Sequence, residues 1–135
     1  SSVADAIRKR GFPVVWILGP AEEGLSVPSG DLTFENQPLS LLAALLSGCR
    51  SFIGNDSGVA HLAAAVGCDT IVIFGASDPR VWAPRGRRVQ ILYKNEPCSP
   101  CHRTASAAGS CKKTCLTGIG VEEVLAALLQ PRTDI

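Results

Sequence analysis

Short, largely apolar runs alternate along this chain with segments in which apolar residues recur every three or four positions. The runs are Pro13-Val14-Val15-Trp16-Ile17-Leu18, the stretch from Arg50 to Gly54, Thr70-Ile71-Val72-Ile73-Phe74, and Val89 to Tyr93. A short continuous apolar run between turn residues is what a strand buried on both faces requires. Between them, Pro38 to Gly48 carries Leu39, Leu42, Leu45 and Leu46 at helical spacing, and Val59 to Val66 predicts a second helix. Val121 to Gln130 predicts a closing helix with Val121, Val124, Leu125, Leu128 and Leu129 on one face. Ser2 to Gly11 reads as a helix end, with basic residues in its last turn and a glycine just past it. Residues 25–37 are polar and irregular and predict no element.

Strands alternating with helices predict an α/β fold, a Rossmann-like three-layer α/β/α domain around one parallel sheet of at least four strands. Ligands of such sheets bind outside the carboxyl ends of the strands. The loops at Gly19, Gly54 and Gly75 each follow a strand and are expected along that edge. A chain of 135 residues suits a single domain over 1–135.

Composition narrows the function. With 46% hydrophobic residues the chain can bury a core, and a formal net charge of +1 gives no field to attract nucleic acid. Trp16 and Trp82, the two indoles that might stack bases, lie far apart in sequence. No apolar run approaches the roughly 20 residues that span a bilayer, and the first residues do not form a charged-then-apolar leader. The missing initiator methionine reads as a fragment or a trimmed chain. Of six cysteines, Cys49 and Cys68 sit among alanines and read as small buried hydrophobes. Cys98, Cys101, Cys111 and Cys115 form a C-x2-C-x9-C-x3-C cluster, with His102 beside it. Structural zinc, two disulfides and four reduced thiols all fit that spacing, and none gives the thiols a catalytic role. A secreted disulfide scaffold would spread its cysteines through a small chain, whereas this chain can bury its own core, so it reads as intracellular.

The stretch from Ser51 to His61 carries the chemistry. An apolar strand runs into Gly54-Asn55-Asp56-Ser57-Gly58, and a helix opens at Gly58. Gly54 and Gly58 are expected to let the backbone bend and a ligand approach closely. Ser57 caps the helix and leaves first-turn N–H groups for an anion. Asp56 and His61 add an acid and an imidazole, so the turn suits a phosphate or diphosphate. Bland alternatives stay open at this point: Asp56 as a second cap, His61 as a half-buried ring, and Glu22 and Glu23 as a solvated helix start. Neither GxGxxG nor GxxxxGK[ST] occurs. Ser57 abuts Gly58 instead of standing midway between glycines, which argues against a nucleophile elbow. Asn55-Asp56-Ser57 is formally a glycosylation sequon, discounted at a strand end.

Phe52-Ile53-Gly54-Asn55-Asp56-Ser57-Gly58-Val59-Ala60-His61, followed by Ile73-Phe74-Gly75-Ala76-Ser77-Asp78-Pro79 and Trp82-Ala83-Pro84, resembles the ADP-heptose:lipopolysaccharide heptosyltransferases. Asp56, Ser57, Gly58 and His61 match the family's Asp-Ser/Thr-Gly-x-x-His element. The resemblance implies the C-terminal, donor-binding half of a two-domain GT-B glycosyltransferase that is inverting and uses neither metal nor cofactor. It implies a donor site of Glu22, Asn55, Asp56, Ser57, Gly58 and His61, with Asp56 and His61 the catalytic pair. Ser57 and Gly58 would offer N–H groups to the diphosphate, and Glu22, or its neighbour Glu23, would meet the ribose. The implied partners are a nucleotide-sugar donor, ADP-heptose, and a lipopolysaccharide core acceptor. That acceptor would be held by an N-terminal domain absent from these residues, which would also supply the general base. The implied location is cytoplasmic, meeting the inner-membrane surface only peripherally. The reading from a different class is a non-catalytic nucleotide-binding α/β module whose cysteine loop is stabilised by metal or disulfides.

Overall fold

The computed structural model describes residues 2–101 and 111–130. The chain divides into two compact units, Ser1–Leu45 and Leu46–Ile135.

In the first unit, helix α1 (Val3–Lys9) starts with a reciprocal cap. Ser2 Oγ accepts the Asp5 N–H at 3.1 Å, and the Asp5 carboxylate accepts the Ser2 N–H at 3.0 Å. Strand β1 (Val15–Leu18) pairs in parallel with β2 (Leu32–Glu35), in a register running from Val15 opposite Leu32 to Leu18 opposite Glu35. Asp31, just before β2, receives the Arg8 guanidinium and, at 2.6 Å, the Trp16 indole N–H. The Arg8 guanidinium, helped by that indole, holds the Asp31 carboxyl down to about 2. Strand β2 falls in the region expected to be irregular. Its Leu32, Thr33 and Glu35 are exposed and only Phe34 is half-buried, so pairing with β1 defines it and no apolar face announces it.

Helix α2 (Leu39–Gly48) runs across the boundary between the units. Leu42 and Leu46 are buried one turn apart, whereas Leu39, expected on the same stripe, is 73% exposed.

The second unit contains β3 (Ser51–Asn55), α3 (Gly58–Ala65), β4 (Asp69–Phe74), α4 (Pro79–Trp82), β5 (Val89–Tyr93), α5 (Thr114–Thr117) and α6 (Val121–Leu128). Its three strands form a parallel sheet in the order β3-β4-β5. Thus the fold is α/β with parallel strands as expected, but the strands divide between two hydrogen-bonded sheets of two and three. The single sheet of four was expected because β2, the hydrogen-bonding partner of β1, had gone unrecognised.

Side chains alternate across the three-stranded sheet. On one face Ala60 of α3 packs with Val72 and Phe74, and Phe52, Ala83, Val89, Ile91 and Tyr93 surround them. Gln90 has the opposite parity and donates from Nε2 to the Ala127 carbonyl at 2.9 Å, so α6 covers the other face. Lys94 and Glu123 pair at 2.7 Å at the far end of α6. Helix α3 ends at Gly67, whose φ of +83° supplies the left-handed turn into β4. Among the described residues no helix is long and apolar enough to cross a membrane.

Candidate functional site

The parallel register sets Asn55, the last residue of β3, opposite Ile73 of β4. Both strands therefore discharge their loops at one edge. Asn55 is exposed there and Asp56 half-buried. Ser57 takes an extended conformation (φ −160°, ψ 162°) and caps α3, its Oγ accepting the Ala60 N–H at 3.4 Å. Among the described residues no protein acceptor takes the amides of Gly58 and Val59. They stand at the positive end of the helix, the arrangement that binds an anion.

The two glycines of the turn differ from expectation. A Cβ on Gly58 would meet nothing within 4 Å and its φ is not positive, so its contribution is an open front to the helix. Gly54 lies inside β3, and a Cβ there would stand 2.6 Å from Phe52 Cζ. Its constraint is core packing against that ring and not the approach of a ligand.

Asp56 does not cap α3. Its Oδ2 accepts the Ser77 hydroxyl at 2.6 Å, from the loop that leaves β4. That loop is tied down from several sides. Ser99 Oγ donates to the Gly75 carbonyl at 2.5 Å and Tyr93 Oη donates to Ser99 Oγ at 3.1 Å. The Cys101 N–H donates to the Ala76 carbonyl at 2.8 Å. Leu116 of α5 covers Gly75, where a Cβ would lie 2.7 Å from Leu116 Cδ2. Asp78, buried, caps α4 through the Arg80 N–H at 3.0 Å and pairs with the Arg80 guanidinium at 2.8 Å. Ser77 was not picked out from the sequence. The available signal was the register, which puts the exits of β3 and β4 side by side.

His61 lies one turn into α3 with its side chain exposed, so it is not a half-buried core ring. The turn thus brings Asn55, Asp56, Ser57, Gly58 and His61 together. Glu22 belongs to the first unit, on a short 3-10 turn (Pro20–Glu22) after β1. Its Oε2 accepts the Gly19 N–H at 2.9 Å, while Glu23 beside it is exposed.

Among the described residues no two cysteines are joined in a disulfide. Cys98 and Cys101 are half-buried, Cys111 is exposed and Cys115 is buried. Burial pushes the Cys101 thiol up, and the neighbouring Cys111, Cys115 and Cys98 add to it. Among the described residues no three His, Cys, Asp or Glu side chains are grouped to hold a metal. His102, the spare ligand considered above, lies outside the described residues.

The chain has relatives among known proteins. It is 35% identical over 99 residues to lipopolysaccharide heptosyltransferase 3 of Escherichia coli, a match covering 62% of this chain and 28% of that protein. It is 35% identical over 77 residues to lipopolysaccharide heptosyltransferase 1 of Pseudomonas aeruginosa, covering 57% of this chain and 19% of that one. The chain therefore spans less than a third of these curated relatives. A crystal structure of a family 9 glycosyl transferase from Veillonella parvula has the same fold, with a TM-score of 0.78 at 21% identity over 96% of this chain and 40% of the other. The family model for glycosyltransferase family 9 (heptosyltransferase) matches residues 36–112, a span that takes in the Asp56–His61 turn, its Ser77 partner and three of the four clustered cysteines. The match extends over more than half of the sequence, and the chain belongs to glycosyltransferase family 9.

Proposed function

We propose that this chain is a single donor-binding domain, the C-terminal half of a GT-B heptosyltransferase that moves heptose from ADP-heptose to a lipopolysaccharide inner-core sugar. The observation that carries the reading is the turn itself. The uncommitted amides of Gly58 and Val59 and the Asp56 carboxylate share the carboxyl edge of a parallel sheet.

The chemistry follows from where charge builds. As the glycosidic bond to the diphosphate breaks, negative charge grows on the leaving phosphate. Fixed N–H dipoles at the front of α3 stabilise that charge more than they stabilise the bound donor, which lowers the barrier. Ser57 keeps the first turn wound by taking the Ala60 amide. Asp56 lies against the sugar end of the donor and His61, exposed on the next turn, supports the phosphates. Glu22 binds the ribose through the carboxylate oxygen that Gly19 does not occupy, and Glu23 is the alternative. The site that holds the acceptor sugar and the base that deprotonates its hydroxyl lie in polypeptide beyond these 135 residues, in a cytoplasmic enzyme that meets its lipid-linked acceptor at the inner-membrane surface.

Titration calorimetry of this chain with ADP, UDP and GDP, beside a transfer assay on the complete enzyme, tests the reading. Preferential binding of ADP without sugar transfer by the 135-residue chain is the expected result. Sugar transfer by this chain alone, or no nucleotide binding at millimolar concentration, would overturn it.

A further inference from the structure

We propose that Ser77 is a positioning residue for the transfer reaction. Its hydroxyl, held by a braced loop, fixes the orientation of the Asp56 carboxylate toward the donor. The inference rests on the donor-site reading above and adds to it a residue from the loop that follows a different strand.

Three observations converge. First, the contact is short: Ser77 Oγ donates to Asp56 Oδ2 at 2.6 Å, in the range of a hydrogen bond to an ionised acceptor. Second, Asp56 has been drawn away from the one local task open to it, since Ser57 caps α3 instead. The Asp56 carboxylate is therefore not consumed by the helix cap. Third, the donor of the hydrogen bond is itself immobilised. The carbonyls of Gly75 and Ala76, the two residues before Ser77, both accept hydrogen bonds from the 99–101 segment, and Asp78, the residue after it, is buried in the cap of α4. Side chains that must be held within a fraction of an ångström are held by such supporting contacts.

With Oδ2 engaged by Ser77, Oδ1 is the oxygen left to face a ligand. Free rotation about the carboxylate would let either oxygen point either way. The serine removes that freedom before the donor arrives, so the ordering cost is not met in the transition state.

The experiment is a double-mutant cycle on the complete transferase with Ser77→Ala, Asp56→Ala and the pair, read on kcat and on donor KM. Where steady-state turnover falls out of range, single-turnover rates at saturating donor replace it. Ser77→Ala is expected to lower kcat about tenfold to hundredfold, the loss that removing a hydrogen bond to a charged group corresponds to, with little change in KM. Ser77→Thr, which keeps the hydroxyl, should restore most of the rate, and Ser77→Cys, a weak donor of similar size, should fall between them. In the Asp56→Ala background, Ser77→Ala should have almost no further effect. Equal losses in both backgrounds, or an unchanged kcat in Ser77→Ala, would overturn the positioning role while leaving the donor site intact. An unchanged rate in Asp56→Ala would remove the donor-site reading and this inference with it.

Discussion

The ring of Phe52 occupies the volume in which residue 54 would carry a side chain. An ideal Cβ on Gly54 would lie 2.6 Å from Phe52 Cζ and 2.9 Å from Cε1, closer than carbon atoms pack. Both residues are on β3 and on the face covered by α3. Gly54→Ala is therefore expected to destabilise the unit by about 1–3 kcal/mol through overpacking. Phe52→Leu, which removes the ring, should reduce the cost of Gly54→Ala measured in that background. Urea denaturation of the four proteins checks this, and additive costs would show that the ring is not the cause.

Asp31 gives a pH dependence whose sign can be worked out. Its carboxyl is held at about 2 against an ordinary value of 3.8, by Arg8 first and the Trp16 indole second. A carboxylate with a depressed folded-state pKa stabilises the fold above its unfolded value, and that contribution is lost as pH falls through the folded value. The advantage of the native protein over Asp31→Asn in urea midpoint should thus hold steady from about pH 7 to pH 5 and shrink between about pH 4 and pH 2. An advantage that grew on acidification would contradict the assignment.

The residues of the turn should separate by role. Asp56→Asn in the complete enzyme is expected to cut kcat about a hundredfold, the scale of losing a preorganised electrostatic contact. His61→Ala should act mainly on donor affinity, raising Kd for ADP about tenfold, the loss of roughly one hydrogen bond to a charged group. Ser57→Ala should cost at most about 1 kcal/mol of stability, as its 3.4 Å cap is long, and should scarcely change affinity, because the backbone amides survive. Steady-state kinetics together with calorimetry distinguish these patterns.

Thiol labelling should follow burial. Cys111 is exposed and should react first with iodoacetamide, Cys98 and Cys101 more slowly, and Cys68 and Cys115 only on unfolding. Cys101 should trail Cys98, because burial and its thiol neighbours oppose its ionisation. Mass spectrometry of a timed alkylation gives the order, and early labelling of Cys115 would show that α5 does not stay docked.

Strands made mostly of apolar residues were readable in advance. Val89–Tyr93 forms β5 over the residues expected, and β4 extends its forecast only by Asp69. The polar β2 escaped notice because its identity lies in a partner strand and not in its own composition. Helix α5 is only four residues long, too short for a period to show. At the site, Ser57 followed from local capping chemistry. The partnership of Asp56 with Ser77 did not, since it depends on a contact 21 residues apart created by strand register. Gly54 was misjudged for a related reason: a glycine's motive is visible only when its neighbours are.

The carbonyls of Gly75 and Ala76, at the exit of β4, are occupied from within by Ser99 and Cys101. Across the edge from them, the first amides of α3 are left without protein acceptors. The rim is therefore asymmetric in what it can say to a visitor, with its lone pairs turned inward and its protons turned outward. On the donor-site reading proposed above, such a rim favours an oxyanion over a group rich in hydrogen-bond donors. On that reading the segment that carries Ser99 and Cys101 helps set the polarity of the molecules this edge admits.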